Sequence, residues 1–257
     1  MVKSAVIFAA TIAAFGWGAP ALASQPANSS RQVIVIEDRV VITSAKPGGV
    51  TAIEIYETAD RSSAKRLSQR LSGASAVTLM QAPYYECPTQ YGGAQFTSNT
   101  KYCITPYSWT YNGYVRPQVY FNDHTPAQWP VSQATGVWNQ SSAIDSWWTI
   151  GCPSPSTGKH CVEVWNADYG PDWKGHTGYD VDASNHFIDG TVYVQLNDRF
   201  WTSDDNRGTT CHELGHALGL AHNRNNRSSC IFTFSIDGPD PKYPVADDFS
   251  VLANVIY

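Results

Sequence analysis

Methionine is almost missing from this chain, with Met1 and Met80 its only copies, and no cysteine precedes Cys87. None of the six cysteines stands in a C-x-x-C pair, which argues against zinc held by thiolates and favours three disulfides formed in an oxidising compartment. Beyond the first 23 residues no apolar run approaches the ~20 residues that a membrane helix needs, so no membrane partner is expected. Lys and Arg total 17 against 22 Asp and Glu, and basic clusters are absent, which removes the reason to expect nucleic acid or an anionic membrane surface as a partner. Internal repeats and low-complexity tracts are missing too.

What is present divides the chain. Residues 1–23 carry Lys3, an apolar run from Ala5 to about Trp17 and Ala21-Leu22-Ala23, the pattern of a secretory signal peptide, so a secreted, extracellular protein is expected. Residues 24–80 hold 7 Lys and Arg against 5 Asp and Glu, whereas residues 81–257 hold 9 against 17. All six cysteines and eight of nine tryptophans lie beyond residue 86. The split predicts a basic pro-segment over 24–80, cut within about 73–83, and an acidic folded domain over 81–257, long enough for one well-buried core. Without an earlier cysteine, a thiolate cannot be the inhibiting group of that pro-segment. A small domain or spacer retained in the mature protein is the competing reading.

Residues 212–222 read His-Glu-Leu-Gly-His-Ala-Leu-Gly-Leu-Ala-His. His212 and His216 are four apart, so on a helix they share one face and present ring nitrogens to the same point. His222 reaches that point only if the chain bends, and Gly219 allows the bend through the left-handed conformation that ends helices. Three nitrogens leave a fourth position open, the arrangement of one catalytic zinc ion. Glu213, beside the ligands, is the expected general base.

Strands are expected over 32–36 and 52–56 with a turn at 46–49, over 118–121, 147–150, 161–165 and, most clearly, 191–196. Helices are expected over 60–71, over 128–140, and from Thr209-Thr210, whose hydroxyls can cap free amides. Residues 166–190 are rich in Asp, Gly, Asn and His. His176, Asp180, Asp182, His186 and Asp189 there suggest either a structural calcium or zinc loop or a solvated loop shaped by Asx turns. Sequence neighbours pair Cys87 with Cys103, Cys152 with Cys161, and Cys211 with Cys230. The tryptophans read as core.

The stretch from His212 to His222 resembles the motif of metzincin zinc endopeptidases, and its surroundings look most like the small secreted matrixin-type members. The resemblance covers about residues 117–257. It implies an α+β fold with a twisted mixed sheet, a backing helix, an active-site helix and a small C-terminal subdomain ending in a helix. It also implies a tight turn below the metal at Ser228-Ser229-Cys230-Ile231-Phe232, in which Ile231 stands where the family has methionine and fills a similar volume. Phe232 leaves no tyrosine to act as an extra ligand. Pro244 to Tyr257 looks like the family's last helix, in which Asp247 or Asp248 could hold a new amino terminus or simply favour the positive end of the helix dipole.

The expected activity is therefore zinc-dependent hydrolysis of a protein or peptide substrate by a monomer. An extended peptide would pair with the strand around 191–196, beside a pocket near residues 228–244. A catalytically impaired zinc-bearing domain that binds an extracellular protein partner is the alternative, and the presence of Glu213 argues against it.

Overall fold

Apolar residues at every second position build most of the strands, and each strand buries the face on which they fall. The computed structural model describes residues 31–36, 38–72, 95–96, 100–104, 107–200, 202, 205–223, 226–232 and 241–257. The expectations for a signal peptide, for the cut within 73–83 and for a Cys87–Cys103 bridge lie outside the described residues.

The N-terminal portion forms three strands, β1 (Arg31–Ile36), β2 (Arg39–Ala45) and β3 (Thr51–Glu57), then helix α1 (Arg61–Ser72). Short strands β4 (Gln95–Phe96) and β5 (Thr100–Ile104) precede β6 (Gln118–Asp123), helix α2 (Val131–Trp138), β7 (Asp145–Thr149), β8 (His160–Ala167), β9 (Gly175–Val181) and β10 (Tyr193–Asn197). Helix α3 (Asn206–Ala217), strand β11 (Leu220–Asn223) and helix α4 (Ala246–Val251) follow. The result is a mixed α+β fold. Its main sheet has eight strands in the order β1-β2-β3-β9-β10-β8-β6-β7, and a smaller sheet runs β11-β5-β4. Strands β7, β6, β8 and β10 are parallel, whereas β9 is antiparallel to β10 and to β3.

Helices α2 and α3 cover one face of the sheet. Val119, Phe121, Val162, Val164, Val194 and Leu196 meet Ala134 and Trp138 of α2 and Leu214 of α3 in the principal core. A second core gathers Val33, Val40, Ile42, Ala64 and Leu67 of the N-terminal unit around Trp173. Strand β3 serves both: Ile53 and Ile55 point into the principal core, and Tyr56 packs against the second. Among the described residues no helix is long and apolar enough to cross a membrane.

Several expectations are corrected. Pro130 caps α2, so that helix starts later than residue 128. Strands β2 and β9 were not anticipated, and β9 lies inside the 166–190 stretch read as a loop. Helix α3 opens at Asn206, before Thr209 and Thr210, and the Thr210 hydroxyl donates back to the Asn206 carbonyl at 2.7 Å. The strand expected at 191–196 is β10, with β8 on one side and β9 on the other, so no peptide can add to it. Trp109, Trp129, Trp138 and Trp173 are core residues, but Trp147, Trp148 and Trp165 are between 42% and 47% exposed on the sheet.

Candidate metal centre

Helix α3 has a poor intrinsic helix sequence, Asn-Arg-Gly-Thr-Thr-Cys-His-Glu-Leu-Gly-His-Ala, yet nearly every residue in it is buried. Tertiary contacts hold it. The Trp138 indole N–H donates to the Cys211 carbonyl at 3.0 Å, the Trp109 indole N–H to the Ala217 carbonyl at 2.9 Å, and the Tyr257 hydroxyl to the Leu218 carbonyl at 3.0 Å. The last two occupy carbonyls that a helix end otherwise leaves unpaired. Gly219 then turns the chain with φ at 102°, and a side chain there would collide with the Tyr107 carbonyl. The bend expected at Gly219 is present, and it starts β11, which carries His222.

The three imidazoles converge. His212 Nε2 lies 3.0 Å from His216 Nε2 and 2.9 Å from His222 Nε2, and all three rings are buried. The His212 Nδ1–H donates to the Cys230 carbonyl at 2.7 Å, and the His216 Nδ1–H to the Leu220 carbonyl at 2.8 Å. A carbonyl can only accept, so each of these Nδ1 atoms carries the proton and each Nε2 turns a lone pair inward. Burial lowers the affinity of His212 and His222 for a second proton.

A fourth group completes the cluster, and it comes from β3. Glu57 is fully buried, and its Oε1 lies 2.8 Å from His222 Nε2, 3.6 Å from His216 Nε2 and 3.7 Å from His212 Nε2. Neither of its oxygens receives a hydrogen bond of ordinary geometry. A buried carboxylate facing imidazole lone pairs is unfavourable unless a cation lies between them. The donor set of Glu57, His212, His216 and His222 therefore fits a metal ion, and these four groups stand within 4.8 Å of one another.

Glu213 does not join that set. Its Oε2 accepts the Thr177 hydroxyl at 2.6 Å, and its Oε1 has no hydrogen-bond donor. Burial, and next the charge of Glu57, push its carboxyl well above the ordinary range. It fits against β9 because residue 175 is glycine: a Cβ there would overlap the carboxylate. Below the site, the Cys211–Cys230 disulfide joins α3 to the next turn, and Ile231 is fully buried against Gly215 and Trp138. The Ser229 hydroxyl accepts the Ile231 amide at 3.0 Å and donates to Asp248 at 2.8 Å, while Asp248 accepts the Val245 amide at 2.6 Å. Asp248 thus ties the turn to the start of α4. The expected Cys152–Cys161 bridge is also present, so those sulfurs, although near Glu163, are no metal ligands.

The 166–190 stretch forms no second centre. His176 meets Gln195 at 2.9 Å, Asp180 pairs with Lys46, Asp189 accepts from His160 at 2.9 Å, and Asp182 receives the amides of Ser184 and His186 in an Asx turn. No three of the five candidate ligands there converge. Of the pocket expected near 228–244, residues 233–240 lie outside the described residues.

Sequence reasoning found the three histidines and missed Glu57. The signal was available, because Ile53, Ile55 and Glu57 fall on the same, inward phase of an alternating strand, where a carboxylate needs a partner. Compared with known proteins, the chain matches no protein-family model and no curated protein sequence.

Proposed function

We propose that this protein is a secreted, monomeric zinc endopeptidase, with His212, His216 and His222 as the metal ligands and Glu213 as general base. One observation carries the reading: the Nε2 atoms of His216 and His222 lie 3.0 and 2.9 Å from that of His212, beside a buried carboxylate that is outside the ligand set and has one oxygen without a donor. Three imidazoles with one carboxylate suit zinc better than magnesium or calcium, which prefer oxygen shells.

Bound there, zinc supplies a Lewis acid that polarises a peptide carbonyl and acidifies water. The remaining steps belong to the protein. Glu213 accepts the proton of the attacking water on Oε1, the oxygen without a donor, and passes it to the leaving amine. Thr177 holds the other oxygen, fixing the carboxylate plane. The Cys230 and Leu220 carbonyls orient two of the ligand rings. An extended peptide would pair with β9, whose residues 175 and 177 adjoin Glu213, only once β3 has left that edge. The two disulfides are compatible with an extracellular location.

The test is Glu213→Ala. Zinc content measured by atomic absorption should stay at one ion per chain while peptide turnover disappears, because the carboxylate is base and not ligand. Near-normal turnover in that variant would overturn the assignment.

A further inference from the structure

The metal centre receives its carboxylate from the N-terminal unit, and that unit also covers the strand beside the general base. Strand β3 pairs with β9 along its whole length, from Thr51 opposite Val181 to Glu57 opposite Gly175. Strand β10 takes the other edge of β9. While β3 is in place, no extended peptide can reach β9, and the register puts Glu57 at the ligand cluster.

The N-terminal unit is joined to the rest of the fold through β3, whose Ile53 and Ile55 enter the principal core, but it also has a core of its own. Strands β1 to β3 and α1 enclose a small core of their own, to which the remainder of the chain contributes Trp173 and the flanking Tyr169. Lys46 bonds both oxygens of Asp180, at 2.7 and 2.6 Å, and Arg70 pairs with the buried Asp172. These pairs set basic residues of the N-terminal unit against acidic residues of the larger one, as the opposite charge balance of 24–80 and 81–257 requires.

We propose that residues 31–72 are a built-in inhibitor, in which Glu57 is the fourth ligand of the metal held by His212, His216 and His222 and β3 fills the edge of β9 reserved for substrate. The proposal rests on the peptidase reading for what is inhibited, but the ligand role of Glu57 stands apart from it. Glu57 does here what no cysteine of the N-terminal unit is available to do. Loss of the unit vacates the fourth position and frees the edge of β9 in one event.

The test uses the full chain loaded with cobalt(II) in place of zinc, as wild type, Glu57→Gln and Glu57→Ala. The visible absorption of the metal should shift in both variants, since a carboxylate ligand has been exchanged for a weaker one or for solvent. Turnover of an unstructured peptide by the zinc form should rise on the order of tenfold or more in Glu57→Ala, as the fraction of open sites grows. Glu57→Gln keeps the side-chain volume and carries the spectral test should the alanine variant fail to fold. Spectra identical to wild type overturn the proposal whatever the turnover. A shifted spectrum with no cleavage by any variant upholds Glu57 as ligand and removes the peptidase reading instead.

Discussion

If Glu213 is the general base, replacing Gly175 by alanine should disable it without changing its identity. A Cβ at residue 175 would stand 2.6 Å from Glu213 Cδ and 2.7 Å from Cγ, where ordinary contact begins at 3.4 Å. The strand cannot yield, because β9 is held by β3 on one edge and β10 on the other. The carboxylate, whose Oε1 lies closer still, must therefore retreat by about 1 Å, and a displacement of that order costs roughly 10²-fold in a positioned catalytic group. In barrier terms that is about 2.7 kcal/mol. Overpacking adds roughly 1–3 kcal/mol of strain, partly offset by the lower chain entropy of alanine, so the melting temperature should fall by a few degrees. Metal content should not change, since no ligand moves. The assay compares kcat/KM on an unstructured peptide for Glu57→Ala with and without Gly175→Ala, alongside zinc content and thermal melting. Unchanged kcat/KM with full zinc would refute the placement of Glu213 as the reacting carboxylate. Lost zinc would refute the separation of base from ligands.

His222→Ala should weaken metal retention, because one of three imidazole ligands is deleted; full zinc occupancy after dialysis would show that another group completes the site. Cys230→Ser should lower both thermal stability and metal affinity, since it opens a bridge spanning 19 residues, of a kind that contributes about 3 kcal/mol, and loosens the carbonyl that orients His212; a melting curve matching wild type would contradict this. His176, buried against Tyr56, has its proton affinity lowered by that burial to about 4, so the unfolded chain binds its proton as pH falls through 6.5 and the folded chain does not. Its contribution is whole above pH 6.5 and is lost between 6.5 and about 4, to a total of about 3 kcal/mol, so denaturant unfolding of His176→Gln should show a flatter acid slope than wild type.

Local chemistry made part of this protein legible from its residues alone. The four-residue spacing of His212 and His216 and the bend at Gly219 follow from helix geometry and from the one residue that accepts a left-handed turn there, and both are present. Alternation located β1, β3, β6 and β10, and proximity in sequence paired Cys152 with Cys161 and Cys211 with Cys230. Strand β9 escaped because Gly175-His176-Thr177-Gly178 has turn composition; its glycines make room for Glu213 and for the Tyr193 ring, which are neighbours only in the folded chain. The start of α3 escaped because Asp205 places no side-chain hydrogen bond at the cap, leaving no local mark. Glu57 escaped as a member of the cluster because its partners lie far along the chain, and only the β3–β9 register brings a strand carboxylate to the three histidines. Spacing within one element is dictated by backbone geometry and can be read in order, whereas pairing between distant strands depends on which surfaces bury one another, and that is decided by the fold as a whole.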